Sequence, residues 1–188
     1  MVAETPRGYL RAGVLVPLIA TPGSVELLFT KRTEHVETHK GQISFPGGVV
    51  EDGDRDIVHT ALREAEEELG VERADVEPLG LLEDLTTPTG FVITPVLGLF
   101  SRTPHLRPNP AEVAEVFTVP LDFFADPASA EREFKRVNGR QRELWKYQYG
   151  EHLIWGATAM IIRSLLRELE AGYNASANSA GTNFSPTL

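Results

Sequence analysis

Glu64, Glu67 and Glu68 stand at i, i+3 and i+4 in the run Ala61-Leu62-Arg63-Glu64-Ala65-Glu66-Glu67-Glu68-Leu69-Gly70. On a helix these spacings stack three carboxylates on one face. Like charges so placed repel by roughly 0.2–0.5 kcal/mol per pair. The repulsion turns into an asset when a divalent cation sits among them, because a hard cation such as Mg²⁺ takes oxygen ligands. Just upstream lies Pro46-Gly47-Gly48-Val49-Val50-Glu51-Asp52-Gly53-Asp54, a double glycine followed by more carboxylates. The chemistry open to such a cluster is metal-assisted work on a small phosphorylated molecule, with the cation bridging carboxylate and phosphate.

The rest of the composition narrows the field. A formal net charge of −9 over 188 residues argues against general binding of nucleic acid or anionic membranes, both of which need basic surfaces. The chain has no cysteine, so disulfides, zinc–thiolate sites and thiol catalysis are excluded. The length suits one domain with a sizeable core. No apolar run reaches membrane-spanning length, and Met1-Val2-Ala3-Glu4-Thr5-Pro6 lacks the pattern of a secretory leader, so a cytoplasmic location is expected.

The elements that must position the carboxylates read as follows. Residues 12–20 and 25–31 are β-branched, apolar runs around the turn cluster Thr21-Pro22-Gly23-Ser24, which predicts a hairpin. Residues 35–41 read as loop and 42–45 as a short strand. Gly47, Gly48 and Gly53 predict a tight loop with positive φ values, entered through the stiff Pro46. A helix follows, capped by Asp54 or Asp56 and ended by Gly70. Its apolar residues Val58, Ala61, Leu62, Ala65 and Leu69 form a stripe predicted to lie opposite the three carboxylates. Further strands are expected over 76–84, 91–100 and 114–119, a helical turn over 121–124, a hairpin about Asn138-Gly139, and a closing helix over 157–170. The Asn/Ser/Ala/Gly-rich segment 172–188 is expected to be a disordered tail after a domain of residues 1–171. The order of elements predicts a single α+β domain, a mixed sheet between helices.

The run around the carboxylates resembles the Nudix box. Its glycine, acidic residue, Arg-Glu pair, paired glutamates and closing glycine with an apolar residue fall on Gly48, Asp54, Arg63, Glu64, Ala65, Glu67, Glu68, Gly70 and Val71. An aspartate stands where the first glutamate is usual, and one extra residue separates it from Arg63. Both features are typical of the coenzyme A pyrophosphatase branch. Leu27-Leu28-Phe29-Thr30-Lys31-Arg32, His39-Lys40-Gly41-Gln42-Ile43-Ser44-Phe45-Pro46 and Ile154-Trp155-Gly156-Ala157-Thr158-Ala159 also resemble that branch, so the likeness covers roughly residues 10 to 170. One departure is Val36-Glu37-Thr38, where relatives often carry basic residues.

The resemblance implies an α/β/α Nudix fold and Mg²⁺- or Mn²⁺-dependent hydrolysis of a pyrophosphate joined to a nucleoside. For coenzyme A the products would be adenosine 3′,5′-bisphosphate and 4′-phosphopantetheine. ADP-ribose, NADH and other nucleoside diphosphate derivatives are the alternative substrates, and a catalytically silent nucleotide sensor is the alternative class. The intact set Arg63, Glu64, Glu67 and Glu68 speaks against the sensor. Metal ligands implied are Glu64, Glu68, Glu67 and the carbonyl of Gly48. Arg63 orients a carboxylate, and the general base is Glu67 or a loop glutamate, Glu112 or Glu115. Arg32, Lys31, His39 and Lys40 are the basic groups near the substrate, beside Gln42 and Gly47. The protein is expected to be a monomer or homodimer, with a small CoA-like nucleotide as its partner and neither nucleic acid nor membrane.

Overall fold

The computed structural model describes residues 6–34, 41–137 and 140–180. Strand β1 (Leu10–Thr21) turns through Pro22-Gly23 into antiparallel β2 (Ser24–Arg32), with Thr21 opposite Ser24 and Leu18 opposite Leu27. Gly23 has φ +84°, a value that an L side chain rarely adopts. The pairing stops at Leu18, and two short strands enter beyond it. β3 (Ile43–Ser44) pairs with β2, and β4 (Gly47–Val49) pairs with β1, Gly13 opposite Gly48.

The double glycine is therefore strand, not loop, and Gly47, Gly48 and Gly53 are not among the described glycines with positive φ. What the two strand glycines supply is room. A Cβ on Gly47 would stand 2.6 Å from the Gly13 carbonyl oxygen, and one on Gly48 would overlap the Glu64 carboxylate.

Helix α1 (Ile57–Leu69) follows. Asp56 is its cap, accepting from the His59 amide at 2.8 Å, and Gly70 closes it in the left-handed region at φ +64°. Past a 3₁₀ turn at Arg73–Asp75 come β5 (Glu77–Leu81), β6 (Leu85–Thr86) and β7 (Phe91–Phe100). β7 runs parallel to β1 from Leu10–Phe91 to Ile19–Phe100. β5 and β6 pair antiparallel with β7, and β8 (Val113–Pro120) pairs antiparallel with β2, completing a mixed eight-stranded sheet. After the short helix α2 (Leu121–Ala125), β9 (Ala130–Val137), β10 (Arg140–Tyr149) and β11 (His152–Trp155) form an antiparallel sheet of three. Helix α3 (Gly156–Ala180) ends the described chain.

Two cores flank the large sheet. Leu15, Ile19, Leu28, Val96 and Phe100 pack against Ala61, Ala65 and Leu69 of α1. On the other face Val16, Leu27, Phe29 and Val119 meet Phe124, Tyr147, Ile154, Ile162 and Leu165 from α2, the small sheet and α3. The result is the expected α+β architecture in a single domain, a mixed sheet between helices.

The end of the chain departs from expectation. His152–Trp155 is a strand, an element not expected there, and α3 starts directly after it at Gly156. Helix α3 continues through Gly172 to Ala180, since adding a residue to an existing helix needs far less than starting one. Residues 35–40 and 138–139, with His39, Lys40, Glu37 and the Asn-Gly turn, lie outside the described residues, as does 181–188.

Gly13 fixes how closely α1 approaches the sheet. A Cβ there would lie 2.8 Å from the Ile57 carbonyl oxygen and 3.0 Å from the Thr60 Cβ. Gly13→Ala is expected to lower the urea midpoint by the equivalent of about 1–3 kcal/mol, the usual cost of overpacking.

Candidate active site

Asp54 is the hub from which the carboxylates are set. Its side chain is 1% exposed and accepts five hydrogen bonds. Arg63 grips both oxygens, Nε to Oδ1 and Nη2 to Oδ2, each at 3.1 Å. The Thr60 hydroxyl and the Glu51 amide donate to Oδ2 at 2.9 and 3.0 Å, and the His59 ring meets Oδ1 at 2.8 Å. The Arg63 pairing above all holds the Asp54 carboxyl well below the usual range, with its other donors outweighing the opposing effect of burial. Asp54 has no lone pair left for a metal. It is an anchor for Arg63, whose own pKa is raised chiefly by this pairing.

Arg63 then reaches the carboxylates. Its Nη1 lies 2.9 Å from Glu64 and 3.1 Å from Glu67, one turn on along α1, while Nη2 donates to the Val49 carbonyl at 3.0 Å. One guanidinium thus joins the loop before α1, the end of β4 and the acidic face of the helix.

Glu68 departs from the expected pattern. The apolar stripe does not lie opposite it: Glu68 belongs to the buried side of α1 with Ala61, Ala65 and Leu69, its side chain 5% exposed. Burial pushes its carboxyl up to about 8, and the neighbouring Glu64 and Glu112 push the same way. Arg32 of β2, 3.7 Å away, and the Gly47 amide pull it back only in part. The Glu64 carboxyl is also raised, first by burial, against the opposing pull of Arg63.

The loop between β7 and β8 closes the site. Its Arg107 and Asn109 amides donate to the Leu69 and Glu68 carbonyls at 2.7 and 2.8 Å, docking the loop on the end of α1. Asn109 Nδ2 then holds Glu112 at 3.2 Å, within electrostatic reach of Glu64 and Glu68.

Glu115 is not brought there. Val113 and Val116 of β8 face the α1 core, whereas Phe117 and Val119 face the other. Glu115 shares the second face, bound to His152 at 3.0 Å and 3.9 Å from Lys31, with the His152 ring stacked on Phe117. Lys31 is thereby also turned from the cluster. Gln42 borders it through its backbone, its carbonyl accepting from the Arg32 amide at 2.9 Å.

The geometry thus places an arginine-braced trio of glutamates on a helix beside a glycine-floored strand, with a fourth glutamate on a facing loop. The profile of the NUDIX domain family matches residues 9–138, which contain all of these groups. The chain belongs to the Nudix family. Among its curated relatives, an uncharacterized Nudix hydrolase NudL from Photorhabdus laumondii is 41% identical over 85% of this chain and 84% of that protein. Another NudL, from Pectobacterium atrosepticum, is 40% identical over 85% and 82%. Solved structures share the fold. The Nudix hydrolase RenU of M. smegmatis superposes with a TM-score of 0.59 at 19% identity over 88% of each chain. A C. elegans Ap4A hydrolase does so at 0.52, with 19% identity over 59% of this chain and 80% of that one.

Within this Nudix domain the donor set can be tested against a divalent metal. Among the described residues no three acidic or histidine side chains stand ready-made around an ion. The reason is visible in Arg63, which draws Glu64 and Glu67 toward itself. Yet Glu64, Glu68 and Glu112 bring carboxylate oxygens together, and burial first, then their mutual repulsion, raises the carboxyls of Glu64 and Glu68. That combination fits a hard cation, which would supply the positive charge these carboxylates lack. The Nudix box was legible as a motif. The pairing of His59 with Arg73 was not, because nothing in the spacing shows that they meet.

Proposed function

We propose that this Nudix domain is a metal-dependent pyrophosphohydrolase that splits coenzyme A, or a derivative of it, into adenosine 3′,5′-bisphosphate and 4′-phosphopantetheine. The observation that carries the metal-dependent reaction is Glu68, a nearly buried carboxyl pushed up to about 8 beside Glu64 and Glu112. Such an arrangement is costly in a protein that never binds a cation. Support for coenzyme A comes from the segments flanking the box, 27–32 and 39–48, and from Asp54 with its longer spacing to Arg63.

Mg²⁺ or Mn²⁺ would be held by Glu64, Glu68 and Glu67 with the Gly48 carbonyl. When bound it neutralises phosphate charge, polarises the scissile P–O bond and acidifies water. The chain's own residues do the rest. Arg63 holds Glu64 and Glu67 in place, and Asp54 holds Arg63. Glu67, 55% exposed, and Glu112 in the facing loop flank the cluster and are the candidates to take a proton from the attacking water. Arg32, Gln42 and Gly47 line its β2–β4 side, where the substrate's phosphates would enter.

The test is a product assay of the purified protein on coenzyme A, ADP-ribose and NADH, with Mg²⁺ or Mn²⁺ and with chelator. Adenosine 3′,5′-bisphosphate formed only with metal is the expected result. Turnover of ADP-ribose or NADH alone would keep the metal chemistry and discard the substrate. Metal binding without turnover of any of them would point to a sensor.

A further inference from the structure

His59 and Arg73 form a hydrogen-bonded relay behind the Nudix box. Arg73 Nη1 lies 2.8 Å from His59 Nε2, and His59 Nδ1 lies 2.8 Å from Asp54 Oδ1. A guanidinium nitrogen can only donate, so Nε2 must offer its lone pair. The ring proton then sits on Nδ1 and is donated to Asp54, an ionised carboxylate that can only accept. His59 is locked as the neutral Nδ1–H tautomer between an obligate donor and an obligate acceptor. Behind it, Arg73 Nε donates to Glu66 at 2.7 Å, which fixes the arginine. The left-handed turn at Gly70 and the 3₁₀ turn after it bring Arg73 back alongside the helix it follows.

We infer that His59 is a positioning residue for the carboxylate cluster: held by Arg73, it fixes Asp54, and through Asp54 it fixes Arg63 against Glu64 and Glu67. The Asp54 oxygen that takes the His59 proton, Oδ1, is also the one that takes Arg63 Nε, so the imidazole and the guanidinium share one acceptor. Without His59, Oδ1 is held by Arg63 Nε alone, while Oδ2 keeps the Thr60 hydroxyl, the Glu51 amide and Arg63 Nη2, so the side of the carboxylate that aligns the Arg63 Nε is the one that loses a partner. The charged groups that meet the ring are Asp54 from the preceding loop and Arg73 from the turn beyond; Arg63 shares Asp54 with it, Glu66 lies behind Arg73, and Asp56 holds the His59 backbone amide. Both ring nitrogens are thereby engaged, Nε2 accepting from Arg73 and Nδ1 donating to Asp54.

The inference rests on the metal-dependent reading for its consequence but not for its geometry, and the experiment separates the two. In ¹⁵N-labelled full-length protein without metal, long-range ¹H–¹⁵N correlation at neutral pH is expected to show His59 protonated on Nδ1 alone. The Nε2–H tautomer or a charged ring would overturn the inference. The Arg63 Nε–H is expected to exchange faster in His59→Leu and Arg73→Met than in wild type. It should be restored in His59→Gln, whose amide offers both a donor group and an acceptor. Mn²⁺-titrated thermal unfolding should then show His59→Leu needing about tenfold more Mn²⁺ for half its stabilisation, as for loss of an outer-shell partner. Wild-type Arg63 exchange and wild-type Mn²⁺ response in His59→Leu would overturn the positioning role. A wild type that Mn²⁺ does not stabilise would overturn the hydrolase reading, while Arg63 exchange and the His59 tautomer still decide this one.

Discussion

Glu68→Gln is expected to stabilise the metal-free protein at alkaline pH and to remove its hydrolase activity. The folded Glu68 carboxyl keeps its proton up to about pH 8, whereas in the unfolded chain it ionises near 4.5. Between those values the folded state binds more protons than the unfolded one, so this group's contribution to stability falls as pH rises through the window. Each pH unit of that window corresponds to about 1.4 kcal/mol. Glutamine keeps the shape and has no charge to bury, so the variant should gain over wild type progressively from about pH 5 and level off above about pH 8. Denaturant melts across pH, with chelator present, measure the gap. Adding Mg²⁺ should stabilise wild type most at high pH and the variant hardly at all. Turnover should fall by more than about 100-fold, since even an outer-shell partner can be worth that much. A Glu68→Gln protein that loses stability at pH 9, or that turns over the wild-type substrate at the wild-type rate, would remove Glu68 from the metal site.

Asp54→Asn makes the opposite demand on the fold. The amide keeps the outline of the carboxylate but puts an NH₂ where Thr60, Glu51 and Arg63 donate, or where His59 and Arg63 do. It also leaves the Arg63 cation, 11% exposed, without its main counter-charge. Breaking a buried pair on one side costs about 3–5 kcal/mol, and a loss of that size is expected in urea unfolding at neutral pH. The dependence on pH runs the other way from Glu68. Asp54 ionises far below its unfolded value of 3.8, so its contribution is complete above that pH and declines as the solution is acidified below it. Wild type and Asp54→Asn should therefore converge in stability toward strong acid. Equal stability of the two at pH 7 would show that Arg63 finds other anchors.

Much of this arrangement could be read from the chain. The β1–β2 hairpin was legible because two β-branched runs flank a Pro-Gly turn, and α1 because its apolar residues keep helical spacing up to Gly70. Arg63, next to Glu64 and four residues before Glu67, announced a brace. What escaped depended on a third dimension. Charge reads as surface, so Glu68 was grouped with its exposed neighbours, although α1 rolls it toward β2 and Arg32. Glycine reads as conformational freedom, whereas Gly48 is needed for the volume that Glu64 takes. Glu112 and Glu115 looked alike in sequence. One precedes β8 and stays with the loop, and the other enters the strand and is turned to the far face. β11 is only four residues long, too short for alternation to declare it beside a helix start.

The docking of the β7–β8 loop on α1 has a bearing on how the site comes apart. The last carbonyls of a helix ordinarily find no partner within it, and here Leu69 and Glu68 are satisfied by the Arg107 and Asn109 amides of the loop that carries Glu112. Fraying of the final helical turn and departure of the loop are then one opening event. Amide exchange at 107 and 109 should be paced by the same local unfolding that exposes the end of α1. The two halves of the carboxylate cluster, distant in sequence, would assemble and dissolve as a single cooperative unit.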